Sequence, residues 1–174
     1  MSVRVCRLRC DTVAIAATDM ADYTRVTFPR AIIMFLALVA GRIACAVLAF
    51  LGLTHLYWAA GGTAGKQAAL PSLGGAPVFQ PSAIGTALVA VILLAMAAWV
   101  AAASGNLATP VPHGVLRIGA FVLAAILALR AVGDFRYAGF FKRVRGSVFA
   151  QRDTWVYSPL CVVLAVLIVA AASR

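Results

Sequence analysis

Twenty-one consecutive residues, Ala83 to Ala103 (AIGTALVAVILLAMAAWVAAA), carry no charge. A bilayer hydrocarbon core is crossed by about 20 residues of helix, so this run alone is long enough to span one. Lipid offers a backbone amide no partner, and a barrel would need alternating strands, so the span has to be a helix. Three further apolar runs accompany it. One extends from about Ala31 to Trp58 and is interrupted by Arg42. Another, from about Gly114 to Val132, carries Arg117 and Arg130 near its ends. The last, Pro159 to Ser173, is short, but Trp155 and Tyr157 extend it into the interface. Ser158 suits its N-cap and Pro159 its first turn, where no N–H is needed. The expected fold is therefore all-α, a four-transmembrane-helix bundle with spans at about 31–58, 83–103, 114–132 and 159–173. Plentiful Ala, Gly and Ser on these spans permit close helix approach.

Composition narrows the classes. The chain is 64% hydrophobic and 11% charged, with mean hydropathy +1.00, whereas a soluble domain is about half apolar and a quarter charged. That excludes a disordered polymer, an acidic tail protein and a soluble nucleic-acid binder, despite 15 basic residues against 5 acids. The basic residues lie mostly between the spans, where Lys and Arg orient helices and meet anionic lipid. The expected address is a membrane, crossed by several spans.

Residues 1–30 form a basic segment whose apolar stretch, VAIAA, is too short for a signal peptide. They read as a disordered tail ahead of a membrane domain at 31–174; the alternative is a start at Met20 or Met34. Orientation hangs on that choice. With the tail, eight basic residues face seven across the membrane; from Met34, three face seven, and the loop before the last span then lies in the cytoplasm.

Three connections join the spans. Gly61 to Ser82 is rich in Gly, Pro and Ala and reads as a loop with little regular structure, and Ser104 to His113 is a short turn. Gly133 to Tyr157 is long, basic and aromatic. At its start Arg130 and Asp134 are spaced i,i+4 and would pair on one helix face if the helix continued through Gly133. Ionisable residues at a membrane edge mark a functional site by default, with a structural ion pair as the plain alternative. Downstream, Arg136, Tyr137, Phe140, Phe141, Lys142, Arg143 and Arg145 interleave cations with rings. Such a pattern can sink aromatics to headgroup level while cations meet phosphate, although a simple topogenic loop has the same composition. Gly139 and Gly146 argue for two short interfacial pieces there.

His55, Tyr57 and Trp58 close the first span on the same side. The aromatics read as an interface belt and His55 as a helix-to-helix hydrogen bond, or, together with Arg130 and Asp134, as one polar site. Arg42 lies about 24 Å of helix before Trp58 and can snorkel to the opposite interface. Cys6, Cys10, Cys45 and Cys161 make no CxxC pair and join no His cluster, so no metal site is expected. No P-loop, GxGxxG, HExxH or GxSxG with triad partners occurs, so neither a catalytic motif nor a cofactor is expected.

The HLYWAAGG and GDFRYAGFFKRVRG blocks, with Lys66, resemble an uncharacterised bacterial family of small four-helix membrane proteins known only as a domain of unknown function. The resemblance covers about Arg42 to Ala172 and implies four helical spans and a multi-pass address in the inner membrane of a bacterium, but no activity. The function expected is a non-enzymatic membrane module whose basic aromatic loop engages anionic lipid or a partner protein. The alternatives are a small carrier, expected as a homodimer, or a membrane enzyme with its polar site at the ends of the first and third spans.

Overall fold

The computed structural model describes residues 2–70, 72–73, 76–77, 80–133, 135–143 and 147–173, with side chains from Arg30 onward outside 67–68, 72–73 and 76–77. Among them are four helices: α1 (Ser2–Ala59), α2 (Ala83–Ala103), α3 (His113–Val132) and α4 (Val148–Ala172). Each contains a stretch long and apolar enough to cross a membrane, with α1 contributing Arg30–Ala59. The all-α, four-helix expectation holds. Only 28–33% of each apolar window is buried. Ile84, Ile118, Leu129 and Val166 stand 62–83% exposed, a coat that water would not tolerate on a soluble monomer.

The chain divides into two units, Met1–Leu36 and Ala37–Arg174. In the first, the backbone is helical from Ser2, where an irregular tail was expected. No Gly or Pro occurs before Pro29, so nothing local breaks the helix that the Ala, Arg and Val residues favour. Ile32 to Leu36 are all exposed.

In the second unit one apolar cluster draws on all four helices, through Ala44 and Leu48, Ala97 and Val100, Ala120 and Ala124, and Leu164 and Ile168. Small residues set the approach. A Cβ on Gly52 would overlap the Leu94 side chain, and one on Gly119 would overlap the indole of Trp99, whose Nε1 donates to the Leu116 carbonyl at 3.0 Å. From Arg42 to Ala59 helix α1 rises about 26 Å, close to the thickness of a hydrocarbon core.

The loops depart from expectation in two places. Residues 60–82 hold a 3-10 turn, Lys66–Ala69, and a two-residue antiparallel pairing, Ser72–Leu73 with Ala76–Pro77. The fourth helix begins eleven residues earlier than Pro159, at Val148. Its N-cap is Ser147, whose Oγ accepts from the Ala150 N–H at 3.1 Å, and not Ser158. Ser158 is fully buried and its Oγ has no hydrogen-bond partner among the described residues. Pro159 survives inside the helix because Asp153–Tyr157 widens into a π turn. That turn re-routes the hydrogen bonds in the stretch where a proline lacks its N–H and crowds the preceding carbonyl.

Candidate functional site

The polar centre of the second unit is a buried carboxylate. Asp153 sits on the π turn of α4 and is fully buried. Its Oδ1 accepts from Arg130 Nη2 at 2.9 Å. Its Oδ2 accepts from Lys142 Nζ at 3.0 Å and from the Gly139 N–H at 2.6 Å. Lys142 is only 2% exposed, yet all three ammonium hydrogens have acceptors. Besides Asp153 these are the Gly139 carbonyl at 2.9 Å and Thr154 Oγ1 at 2.6 Å. Thr154 in turn donates to the Ala150 carbonyl at 3.0 Å.

Local backbone chemistry brings these groups together. Helix α3 stops at Val132 because Gly133 takes φ +96°, a conformation that glycine adopts without Cβ strain. Gly139 takes φ +90° and crosses directly over Gly133. A Cβ on either glycine would overlap backbone, the Ala138 carbonyl in one case and the Val132 carbonyl in the other. The chain thereby folds back onto the helix end, and the Phe140 N–H donates to the Ala131 carbonyl at 2.9 Å. Carbonyls at a helix terminus otherwise lack partners, a serious matter at the edge of a membrane.

The sequence-derived candidates distribute unevenly over this geometry. Arg130 pairs with Asp153 of α4, 23 residues away, and Asp134 lies outside the described residues, as does Arg145. The i,i+4 pairing presupposed a helix running through Gly133, and that helix ends at Val132. Lys142, expected among the headgroup-facing cations, is instead buried in the clasp. The two short interfacial pieces are likewise replaced: residues 135–143 are irregular, and 148–157 belong to α4. Arg136, Phe140, Phe141 and Arg143 are exposed and Tyr137 is half-buried. The Arg136 guanidinium lies 5.1 Å from the Tyr137 ring. Phe135, at φ +58°, packs 6.4 Å from Phe141.

His55 and Trp58 do meet, edge to face at 5.0 Å. With Lys66, Leu70, Thr86 and Val89 they line a cavity of about 220 Å³ between the end of α1, the following loop and the start of α2. Arg130 is not among its described lining residues, and Tyr57 instead stacks against Gly62 outside it. Sequence reasoning missed Asp153, Lys66 and Thr86. The available signal for Asp153 was scarcity: it is one of five acids in the chain and directly precedes an apolar run.

Four apolar helices and a buried ionic clasp define a small multi-pass α-helical membrane protein. Its sequence matches the profile of a family described as protein of unknown function (DUF3995) over residues 48–168. The chain belongs to that family. No curated protein and no solved structure matches it.

Proposed function

We propose that the protein is a non-enzymatic module of a bacterial inner membrane whose segment 135–152 binds anionic lipid headgroups. One observation carries the reading. Exposed rings (Phe135, Phe140 and Phe141) and exposed guanidinium groups (Arg136, Arg143 and Arg152) share one end of the bundle, on a backbone pinned by Asp153. Trp155, 81% exposed, extends the same rim. A pinned loop presents its cations to phosphate without first being ordered, so little conformational entropy opposes binding. Each such cation contributes about 1 kcal/mol near an anionic leaflet. Lys142 is no part of this surface; its charge is spent inside the clasp.

Trp155 provides the readout once the other two tryptophans, Trp58 and Trp99, are replaced by Phe. In mixed vesicles, brominated phosphatidylglycerol should quench its fluorescence more than brominated phosphatidylcholine does. The preference should fall in the triple variant Arg136→Gln, Arg143→Gln, Arg152→Gln, and at high salt, where exposed charges are screened. Equal quenching by the two lipids in the parent protein would sink the reading.

A further inference from the structure

We propose that the cavity beside His55 binds one single-chain amphiphile with an acidic head, a carboxylate or a phosphate monoester. Its volume of about 220 Å³ is roughly seven times a water molecule's share of liquid volume. That is room for a head and a short length of chain. Its walls are mostly carbon, and three residues with polar side chains line it from three different elements: His55 on α1, Lys66 on the 3-10 turn and Thr86 on the first turn of α2.

The hydrogen bonds already made define what remains for a ligand. His55 Nδ1 lies 2.8 Å from the Leu51 carbonyl oxygen. A carbonyl only accepts, so Nδ1 bears the hydrogen and Nε2 is the open nitrogen of the ring. Trp58 Nε1 donates to the Ala64 carbonyl at 2.8 Å, which holds the indole as a fixed wall. Thr86 Oγ1 donates to the Ser82 carbonyl at 2.9 Å and keeps its lone pairs. Lys66 is half-buried and its ammonium has no ion-pair partner among the described residues. An ammonium in an apolar cavity favours an acid, whose charge it pairs with, and Nε2 can accept from a hydroxyl that the head retains, as a phosphate monoanion does.

The tail follows from what borders the cavity. Val89 lines it and is 41% exposed, and on the same helix Ile84 and Leu88 are 83% and 59% exposed. The wall thus opens toward the surface that faces hydrocarbon, where a chain too long for the cavity can lie. A free inorganic anion would leave that wall unused, and a neutral lipid would leave Lys66 unpaired. The turn that carries Lys66 packs against Val148–Arg152, so this site and the loop are told apart by experiment.

The test uses the full chain in maltoside detergent, with laurate, lauroyl lysophosphatidate, monolaurin and inorganic phosphate as probes and native mass spectrometry as readout. One equivalent of an acidic amphiphile should bind at least about tenfold more tightly than monolaurin, the value of one charge-assisted hydrogen bond. The tighter of the two acids identifies the head. Lys66→Gln should bring the acids to the level of monolaurin, and Val89→Trp, by filling the cavity, should weaken all three amphiphiles. Equal affinity of laurate, lauroyl lysophosphatidate and monolaurin in the parent protein would overturn the proposal without recourse to any variant. So would saturation by phosphate at the amphiphile concentration, or affinities unchanged in both variants. Loss of the phosphatidylglycerol preference in the arginine variant with laurate binding intact would separate the two proposals.

Discussion

The two ends of α3 hold down their turns with different chemistry. At the N-terminal end the cluster is neutral apart from one exposed cation. The buried Ser104 Oγ accepts from Asn106 Nδ2 at 2.8 Å, the same amide nitrogen donates to the Leu38 carbonyl at 3.2 Å, and Arg42 Nε donates to Asn106 Oδ1 at 2.9 Å. Gly41 lets α1 approach Ser104 closely enough for this. Arg42 is exposed, so its remaining donors stay solvated and an amide suffices as partner. At the C-terminal end a loop crosses the helix terminus and buries an ammonium. A buried, unpaired charge costs several kcal/mol, so that end requires a carboxylate. The cation's exposure decides which chemistry is needed.

The sharpest way to break this contrast is Asp153→Ala, which strands Lys142 inside the clasp. A loss of about 3–5 kcal/mol is expected, as for any buried pair deprived of one partner. Removing both charges, Asp153→Ala with Lys142→Met, should recover a large part of it. Unfolding of the singles and the double in detergent reads this out, and strictly additive losses would show that burial of the charges is not what sets the cost.

Gly139→Ala comes next. The left-handed backbone alone costs an alanine about 1–3 kcal/mol, and the new Cβ meets the Gly133 backbone besides. Because the loop would have to lift, the phosphatidylglycerol preference read at Trp155 should fall along with stability. A destabilised protein with that preference intact would mean that the clasp does not present the loop.

How far the sequence foretold this contrast depends on the range of the interaction. Charge-free or nearly charge-free runs announce helices directly, so α2 and α3 match their expected bounds to within a residue. The start of α4 was hidden because Ser158–Pro159 has the local pattern of a helix beginning, and the π turn that absorbs Pro159 leaves no local mark. Arg130 was recognised as needing an acid, but spacing rules reach only one turn along a helix, and its partner Asp153 stands on another helix. Lys142 looks like its exposed neighbour Arg143 in sequence; only the crossing of Gly133 and Gly139 turns it inward. His55 and Trp58 stand three residues apart on one helix, within the reach of spacing rules, whereas Lys66 joins their cavity through a loop fold and Thr86 from another helix, which no periodicity encodes.

At the neutral end, Asn106→Ala should cost about 1–3 kcal/mol, the penalty for stranding the hydrogen-bonding groups that Asn106 now satisfies. Two of its partners, Ser104 Oγ and the Leu38 carbonyl, are uncharged. The loss should therefore change little between low and high salt. A strongly salt-dependent loss would make the Arg42 contact the dominant one and bring the two ends closer in kind.

The smallest effect is expected inside the clasp itself, from its other cation. Arg130 and Lys142 bind the same carboxylate at nearly equal distance, 2.9 and 3.0 Å, but the Arg130 side chain is 39% exposed and that of Lys142 1%. Solvent screens the first pair and not the second. Arg130 Nη1 is also buried without a hydrogen-bond partner, so deleting the guanidinium removes an unmet donor as well as a bond. Without Arg130, Asp153 still holds one cation and one N–H, and the cluster becomes neutral. Arg130→Gln should therefore cost under about 1 kcal/mol. Lys142→Met, in contrast, leaves the Gly139 carbonyl and one carboxylate oxygen short of a donor in a fully buried place. Equal losses for the two variants would show that exposure does not rank these ion pairs, and the explanation offered for the difference between the two ends of α3 would fall with it.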